Sequence, residues 1–262
     1  MFFIRAERAS DAKLKIVMMM RAINVIDEAE ENVAEENLYL LYDLKGKIQT
    51  ALNAIGDLPR VVKEMHDNPV YKEEAAFVEA RISLLNETAP QESFMRAYGI
   101  AKAESIKKPD DAPLLRTYSR LHNMLYPNDL KGLYSILQMR YGISKEKRNL
   151  TLLYELGKLA FIFKEYDDSI SYFKNLERLS QGHPKRWHIQ DYGMDEHEKH
   201  VEFQGTIVRR ESSNMGYVEI SQLRRRVPFL PYAQKYTPEV GDNVTFEIGF
   251  NYRGWLAVDL TK

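Results

Sequence analysis

Val240-Gly-Asp-Asn-Val-Thr-Phe-Glu-Ile248, running on to Leu260, is the stretch that decides the fold at the C-terminal end of this chain. Val244, Phe246 and Ile248 alternate with polar residues, the period of two that a strand with one buried face requires, and Gly241-Asp242 supplies a turn ahead of it. Upstream, Phe203-Gln-Gly-Thr-Ile-Val-Arg-Arg210, Met215-Gly-Tyr-Val218 and Pro228-Phe-Leu-Pro-Tyr232 repeat the pattern between glycine-containing and polar turns. Phe203, Ile207 and Val218 are expected to share one core with the three residues of the closing strand. Short strands at this spacing predict a small closed five-stranded antiparallel β-barrel over residues 201–262.

Five segments carry a resemblance to a known family. They are Gly205-Thr-Ile-Val-Arg-Arg210, Ser213-Asn-Met-Gly-Tyr-Val218, Pro228-Phe-Leu-Pro-Tyr232, Gly241-Asp-Asn-Val-Thr-Phe-Glu247 and Gly254-Trp-Leu-Ala-Val258. In this order they resemble the cold-shock domain, a member of the oligonucleotide-binding barrel class, and the closing segment is the most specific of them. The resemblance implies that Tyr217, Phe229 and Tyr232 stack bases, since an aromatic face accepts any base and each stack contributes about 1–3 kcal/mol. The family's tryptophan falls on Arg209, whose planar guanidinium can also stack. Its first glycine-strand phenylalanine falls on Met215 and its histidine on Pro231, where neither residue makes a good platform.

Charge supports a local rather than a bulk interaction. Residues 198–262 hold nine Lys or Arg against eight Asp or Glu, so the barrel is no polycation. Arg209-Arg210 and Arg224-Arg225-Arg226 instead interleave with the aromatics, a pattern that suits the phosphates and bases of a single strand. The expected nucleic-acid-binding residues are Arg209, Arg210, Tyr217, Arg224, Arg225, Arg226, Phe229 and Tyr232. A competing reading makes the barrel a docking domain, with Tyr217 and Phe229 in its core and the arginines solvated at strand ends.

Ahead of the barrel, residues 1–180 are helix-forming almost throughout. Breaks fall at Gly56-Asp-Leu-Pro59, Asn68-Pro69, Asn86-Glu-Thr-Ala-Pro90, Pro109-Asp-Asp-Ala-Pro113, Pro127-Asn128 and Gly142. Proline after a polar residue ends one helix and opens the next, which predicts eight or nine helices in antiparallel pairs, an α-solenoid. Leu153-Tyr-Glu-Leu-Gly157, Ala160, Tyr166, Ser169, Phe173 and Leu176 resemble the tetratricopeptide repeat, with Gly157 and Ala160 allowing close helix approach. Shifting the pattern back by 37–39 residues pairs Leu153 with Leu115 and Tyr172 with Tyr134, then Leu121 with Ile82. The resemblance implies a concave surface for a protein partner. Because the chain opens inside helical sequence, it is expected to be the C-terminal part of a longer protein.

With 262 residues, no cysteine and a net charge of −1, the chain excludes disulfide frameworks, thiol catalysis and strongly basic tails. No apolar run is long enough to span a bilayer: Ile16-Val-Met-Met-Met20 is flanked by Lys15 and Arg21 and continues at helical spacing. No membrane association is expected, and a cytoplasmic location is; bacterial origin is an expectation from resemblance alone. The connection at 181–200 gathers His183, His188, His197 and His200 beside Asp191, Asp195 and Glu196, but without cysteine or a recognised metal spacing. It is expected to be a polar linker pinned by Trp187. Glycine-rich phosphate loops and nucleophile triads are absent from the sequence, so no cofactor, metal or catalytic residue is assigned.

The expectation is an α+β multidomain protein: helical repeats at 1–180, a linker at 181–200 and a barrel at 201–262. Its function would be a non-enzymatic adaptor that holds single-stranded RNA or DNA and a protein partner. The alternative is a protein-interaction or oligomerisation module regulating a catalytic domain.

Overall fold

The computed structural model describes residues 11–31, 38–85, 90–212, 215–230 and 237–262, without the side chains of residues 38, 39 and 73. Nine α-helices precede the strands among these residues. The chain divides into two compact units, residues 1–149 and 150–262.

In the first unit the helices are α1 (Ala12–Glu30), α2 (Leu38–Asn53), α3 (Leu58–Asp67), α4 (Lys72–Leu85), α5 (Gln91–Lys107), α6 (Ala112–Leu125) and α7 (Leu130–Gly142). Each predicted break falls between helices or at a helix end, and the one at residues 86–90 lies outside the described residues except for Pro90. Aspartates set the starts that prolines permit: Asp111 accepts from the Leu114 amide at the head of α6, and Asp129 from that of Gly132 at the head of α7. Consecutive helices from α3 onward pack in sequence, and α1 lies against α2, α3 and α4. Of the face that the spacing predicts to be buried, Ile16, Met19, Met20, Ala22, Ile23 and Ile26 are within the core, whereas Val25 is exposed.

A buried ionic group ties these helices together. Asp27 of α1 lies fully buried against Arg81 of α4, with Arg120 of α6 at 2.8 Å and Lys45 of α2 at 2.9 Å. Burial alone would raise the Asp27 pKa, but the three cations outweigh it and hold the carboxyl well below the ordinary range. Arg116, also buried, meets Glu146 at 2.9 Å. Such a group fixes helix register, because losing any partner strands a charge away from water.

The second unit opens with α8 (Leu150–Ile162) and α9 (Tyr166–Leu179), continues through β1 (Asp191–Tyr192), and closes with β2 (Glu202–Arg210), β3 (Gly216–Ile220), β4 (Arg225–Phe229), β5 (Asn243–Asn251) and β6 (Gly254–Thr261). Strands β2, β3, β4, β6 and β5 form a closed ring, and β1 adds antiparallel to β5. The ring is mixed rather than purely antiparallel, since β4 and β6 run parallel where Phe229 faces Ala257. Five is an odd number, so strands cannot alternate in direction all the way round a closed ring and one neighbouring pair must be parallel.

Phe203, Ile207, Val218, Val244, Phe246 and Ile248 fill the barrel interior, as their alternation predicts. Toward its end β5 departs from alternation, with Gly249 and Asn251 buried as well as Ile248 and Phe250. The α8–α9 hairpin packs on the side that Phe203, Phe246 and Ile248 share: Phe161 meets Phe250 and Trp255 edge-on at 5.1 and 5.0 Å and Phe203 at 6.0 Å, and Phe173 stacks on Phe250 at 5.1 Å. Trp255 Nε1 donates to Ser169 Oγ at 3.1 Å, and Ser169 in turn donates to the Gly157 carbonyl at 2.6 Å. The sequence grouping puts this hairpin with the other helices; by contacts it forms one compact unit with the barrel.

Candidate nucleic-acid interface

The outward face of β2, β3 and β4 collects the exposed polar and aromatic residues of the barrel. Strict alternation from Phe203, Gly205 and Ile207 would send Arg209 inward. A bulge between Ile207 and Arg209 shifts the register by one residue, so Arg209 pairs with Tyr217 on the outer face. The Arg209 guanidinium lies 5.9 Å from the centroid of the half-buried Tyr217 ring and reaches Glu211 at 3.2 Å. Across the next strand boundary Tyr217 faces Pro228. Arg209, Tyr217 and Pro228 therefore form one row across three strands.

Phe229 is corrected from its expected role. It sits at an inward position of β4 and is 0% exposed. Its ring fills the space over Gly216, where a Cβ would come within 2.8 Å of Phe229 Cζ. It is a core residue and offers no face to a base. Tyr232, the third expected platform, lies outside the described residues, as does Pro231.

The arginines take different places. Arg210 ends β2, its Nε donating to the Ser212 carbonyl at 3.3 Å. Arg224 occupies the β3–β4 turn with a left-handed backbone, φ 50°. Arg225 reaches Asp167 of α9 at 3.1 Å, and Arg226 reaches Glu219 across the β3–β4 pair at 3.1 Å. Both pairs are exposed, where an ion pair contributes about 0–1 kcal/mol, so neither commits its arginine.

Beside this row opens a groove that the sequence reading did not find. Parallel β4 meets β6 at Phe229 and Ala257, and toward Arg225 a space of about 670 Å³ lies between α9, β4 and the β5–β6 turn. Lys174, Arg224, Arg225 and Arg253 line it above a floor that includes Val227, Pro228 and Trp255. Arg253 lies over the Trp187 ring at 5.6 Å. Arg253 follows the arginine triplet in sequence and is a natural neighbour of it, whereas Lys174 is an isolated basic residue that only the fold brings there.

The linker is held differently from expectation. Trp187 is 59% exposed, so it does not pin the segment by burial. Arg186 does so, donating to the Glu177 carbonyl at 2.6 Å and to Ser180 Oγ at 3.1 Å, while its own carbonyl accepts from Asn251 at 2.8 Å. The histidines disperse: His183 stacks on Tyr252 at 4.8 Å, His200 contacts Glu247, and His197 is exposed. Among the described residues no three His, Cys, Asp or Glu side chains gather as a metal site. Nor is any described helix long and apolar enough to cross a membrane.

No protein-family model matches this chain, and no curated protein matches its sequence.

Proposed function

We propose that the second unit is a cold-shock-like barrel that binds single-stranded RNA or DNA on its β2–β3–β4 face, and that the whole chain is a non-enzymatic adaptor. The observation that carries this reading is the row Arg209, Tyr217 and Pro228, an aromatic ring and a cation on the outer face with further arginines beside it. The second and third strands of the ring, β3 and β4, correspond to those on which oligonucleotide-binding barrels carry their ligand. Tyr217 supplies a stacking surface, and Arg209 stays free to swing from its rim-exposed partner Glu211 to a phosphate. The helices of residues 1–180, which from about Tyr71 onward resemble tetratricopeptide repeats, supply the surface for a protein partner.

The competing reading, a protein-interaction module with a structural barrel, draws on the burial of Phe229 and on the acidic partners of Arg209, Arg225 and Arg226. Fluorescence anisotropy of labelled single-stranded oligonucleotides decides between them. Micromolar or tighter binding that weakens with salt and drops in Tyr217→Ala supports the nucleic-acid reading. Absence of binding to both RNA and DNA in the folded wild type leaves the structural barrel.

A further inference from the structure

We propose that the groove between α9 and the barrel is a second anion-binding subsite that carries the phosphate backbone of a longer strand past Tyr217. This inference rests on the reading of the β2–β3–β4 face as a nucleic-acid surface, and it extends the ligand's path onto a helix.

Three observations point this way. First, the charge is one-sided: Lys174, Arg224, Arg225, Arg226 and Arg253 line the groove against Glu177 and Glu219. Glu219 is engaged by Arg226, and Glu177 stands 3.9 Å from Arg186. Among the described residues no acidic side chain pairs with Lys174, Arg224 or Arg253. Five cations thus face two carboxylates on one concave surface, and no acidic side chain among the described residues is paired with three of them, a balance that raises the local concentration of a polyanion.

Second, the groove continues the aromatic row. Pro228 faces Tyr217 across the β3–β4 pair and also lines the groove. Adjacent strands lie about 4.8 Å apart, so a strand stacked on Tyr217 reaches the groove within one strand spacing of Pro228. Third, the lining combines types that a polynucleotide needs together. Cationic ends stand over apolar Val227, Pro228 and Trp255, and Arg253 is oriented by the exposed Trp187 ring at 5.6 Å.

The path predicts a dependence on ligand length. A tetranucleotide covers the Tyr217 row, whereas a dodecanucleotide reaches the groove, within the roughly 4–16 nucleotides that such barrels occupy. The test uses the full chain and tetra- and dodecamers of uridylate and thymidylate, with a Lys174→Gln/Arg253→Gln variant. Both positions are exposed, and tryptophan fluorescence with circular dichroism confirms folding. Arg224 is left intact because its left-handed turn conformation makes substitution there a test of folding instead.

Dodecamer affinity is expected to fall at least tenfold in the variant, and the slope of log K against log salt to shrink by about 1.4, two contacts at about 0.7 each. Tetramer affinity is expected to hold. Wild-type and variant binding the dodecamer equally, with equal slopes, overturns the groove and leaves the Tyr217 face standing. A wild type that binds neither length overturns both. An Asp/Glu-rich dodecapeptide that displaces the dodecamer at equal concentration, and loses that ability in the variant, reassigns the groove to an acidic protein.

Discussion

Replacing Gly157 by alanine separates what a helix prefers from what this interface allows. Gly157 lies inside α8, where alanine is favoured by about 1 kcal/mol on intrinsic propensity. An added Cβ, however, would stand 2.6 Å from Phe173 Cε2 and 2.8 Å from Cδ2. The Phe173 ring cannot yield easily: it is buried, stacks on Phe250 at 5.1 Å and meets Tyr154 edge-on at 5.8 Å. Overpacking of this kind costs about 1–3 kcal/mol, rising toward the top of the range when neighbours are fixed on both sides. The net expectation is a loss of about 1–2 kcal/mol. Both tryptophans, Trp187 and Trp255, belong to the second unit, so their fluorescence during urea unfolding reads that unit alone. With a urea dependence of about 2 kcal/mol per M the midpoint falls by about 0.5–1 M. Gly99→Ala in α5 is the control, because nothing lies within 4 Å of its added Cβ, and circular dichroism should show it stabilising by about 1 kcal/mol. A Gly157→Ala midpoint equal to or above that of the wild type would refute the argument from Phe173.

The same reasoning yields further expectations. Phe229→Ala removes a fully buried ring and should cost the barrel unit about 3–5 kcal/mol in tryptophan-detected unfolding, whereas Tyr217→Ala should leave the barrel folded; equal stability losses would contradict their opposite placement. Asp27→Asn strands Arg81 in the helical core and should cost about 3–5 kcal/mol, read as a lowered first transition in circular dichroism. Because the folded Asp27 pKa is depressed, its contribution is present above the unfolded value of about 3.9 and is lost as pH falls below it; a helical-unit midpoint unchanged between pH 6 and pH 3 would contradict this. A fragment of residues 150–262 should fold, while 201–262 should not, since the latter exposes Phe250 and Trp255; a well-dispersed amide spectrum from the shorter fragment would refute the single-unit assignment.

Much of the architecture was legible because local chemistry fixes it. Proline- and glycine-containing polar breaks placed the described helix ends from Gly56 to Gly142, and the alternation of Val244, Phe246 and Ile248 placed the inner face of β5. Gly157 announced a close approach, although the sequence could not say that Phe173 makes it. The misread elements depend on contacts distant in sequence. Phe229 reads as an exposed platform by resemblance, yet the position of β4 in the ring turns it inward beneath Gly216. The Ile207–Arg209 bulge sends Arg209 outward against simple alternation. The grouping of α8–α9 with the barrel follows from Phe250 of β5 and Trp255 of β6, whose rings the hairpin covers. Lys174 had no signal at all, since a lone basic residue becomes part of a site only when folding gives it neighbours, and Arg253 showed only as a basic residue near the arginine clusters in sequence. The parallel β4–β6 pair was within reach of simple parity, which a closed ring of five strands obeys.

The central claim is that Tyr217 and its neighbouring arginines hold a single strand on an intact barrel. Its most direct test is the anisotropy of a labelled dodecamer, as RNA and as DNA, titrated with wild type and Tyr217→Ala at 50 and 200 mM salt. The account predicts micromolar or tighter wild-type binding that weakens with salt, and an affinity lower by about 1–3 kcal/mol in a variant with unchanged unfolding. Equal affinity of the two proteins, or no binding by either, would contradict it.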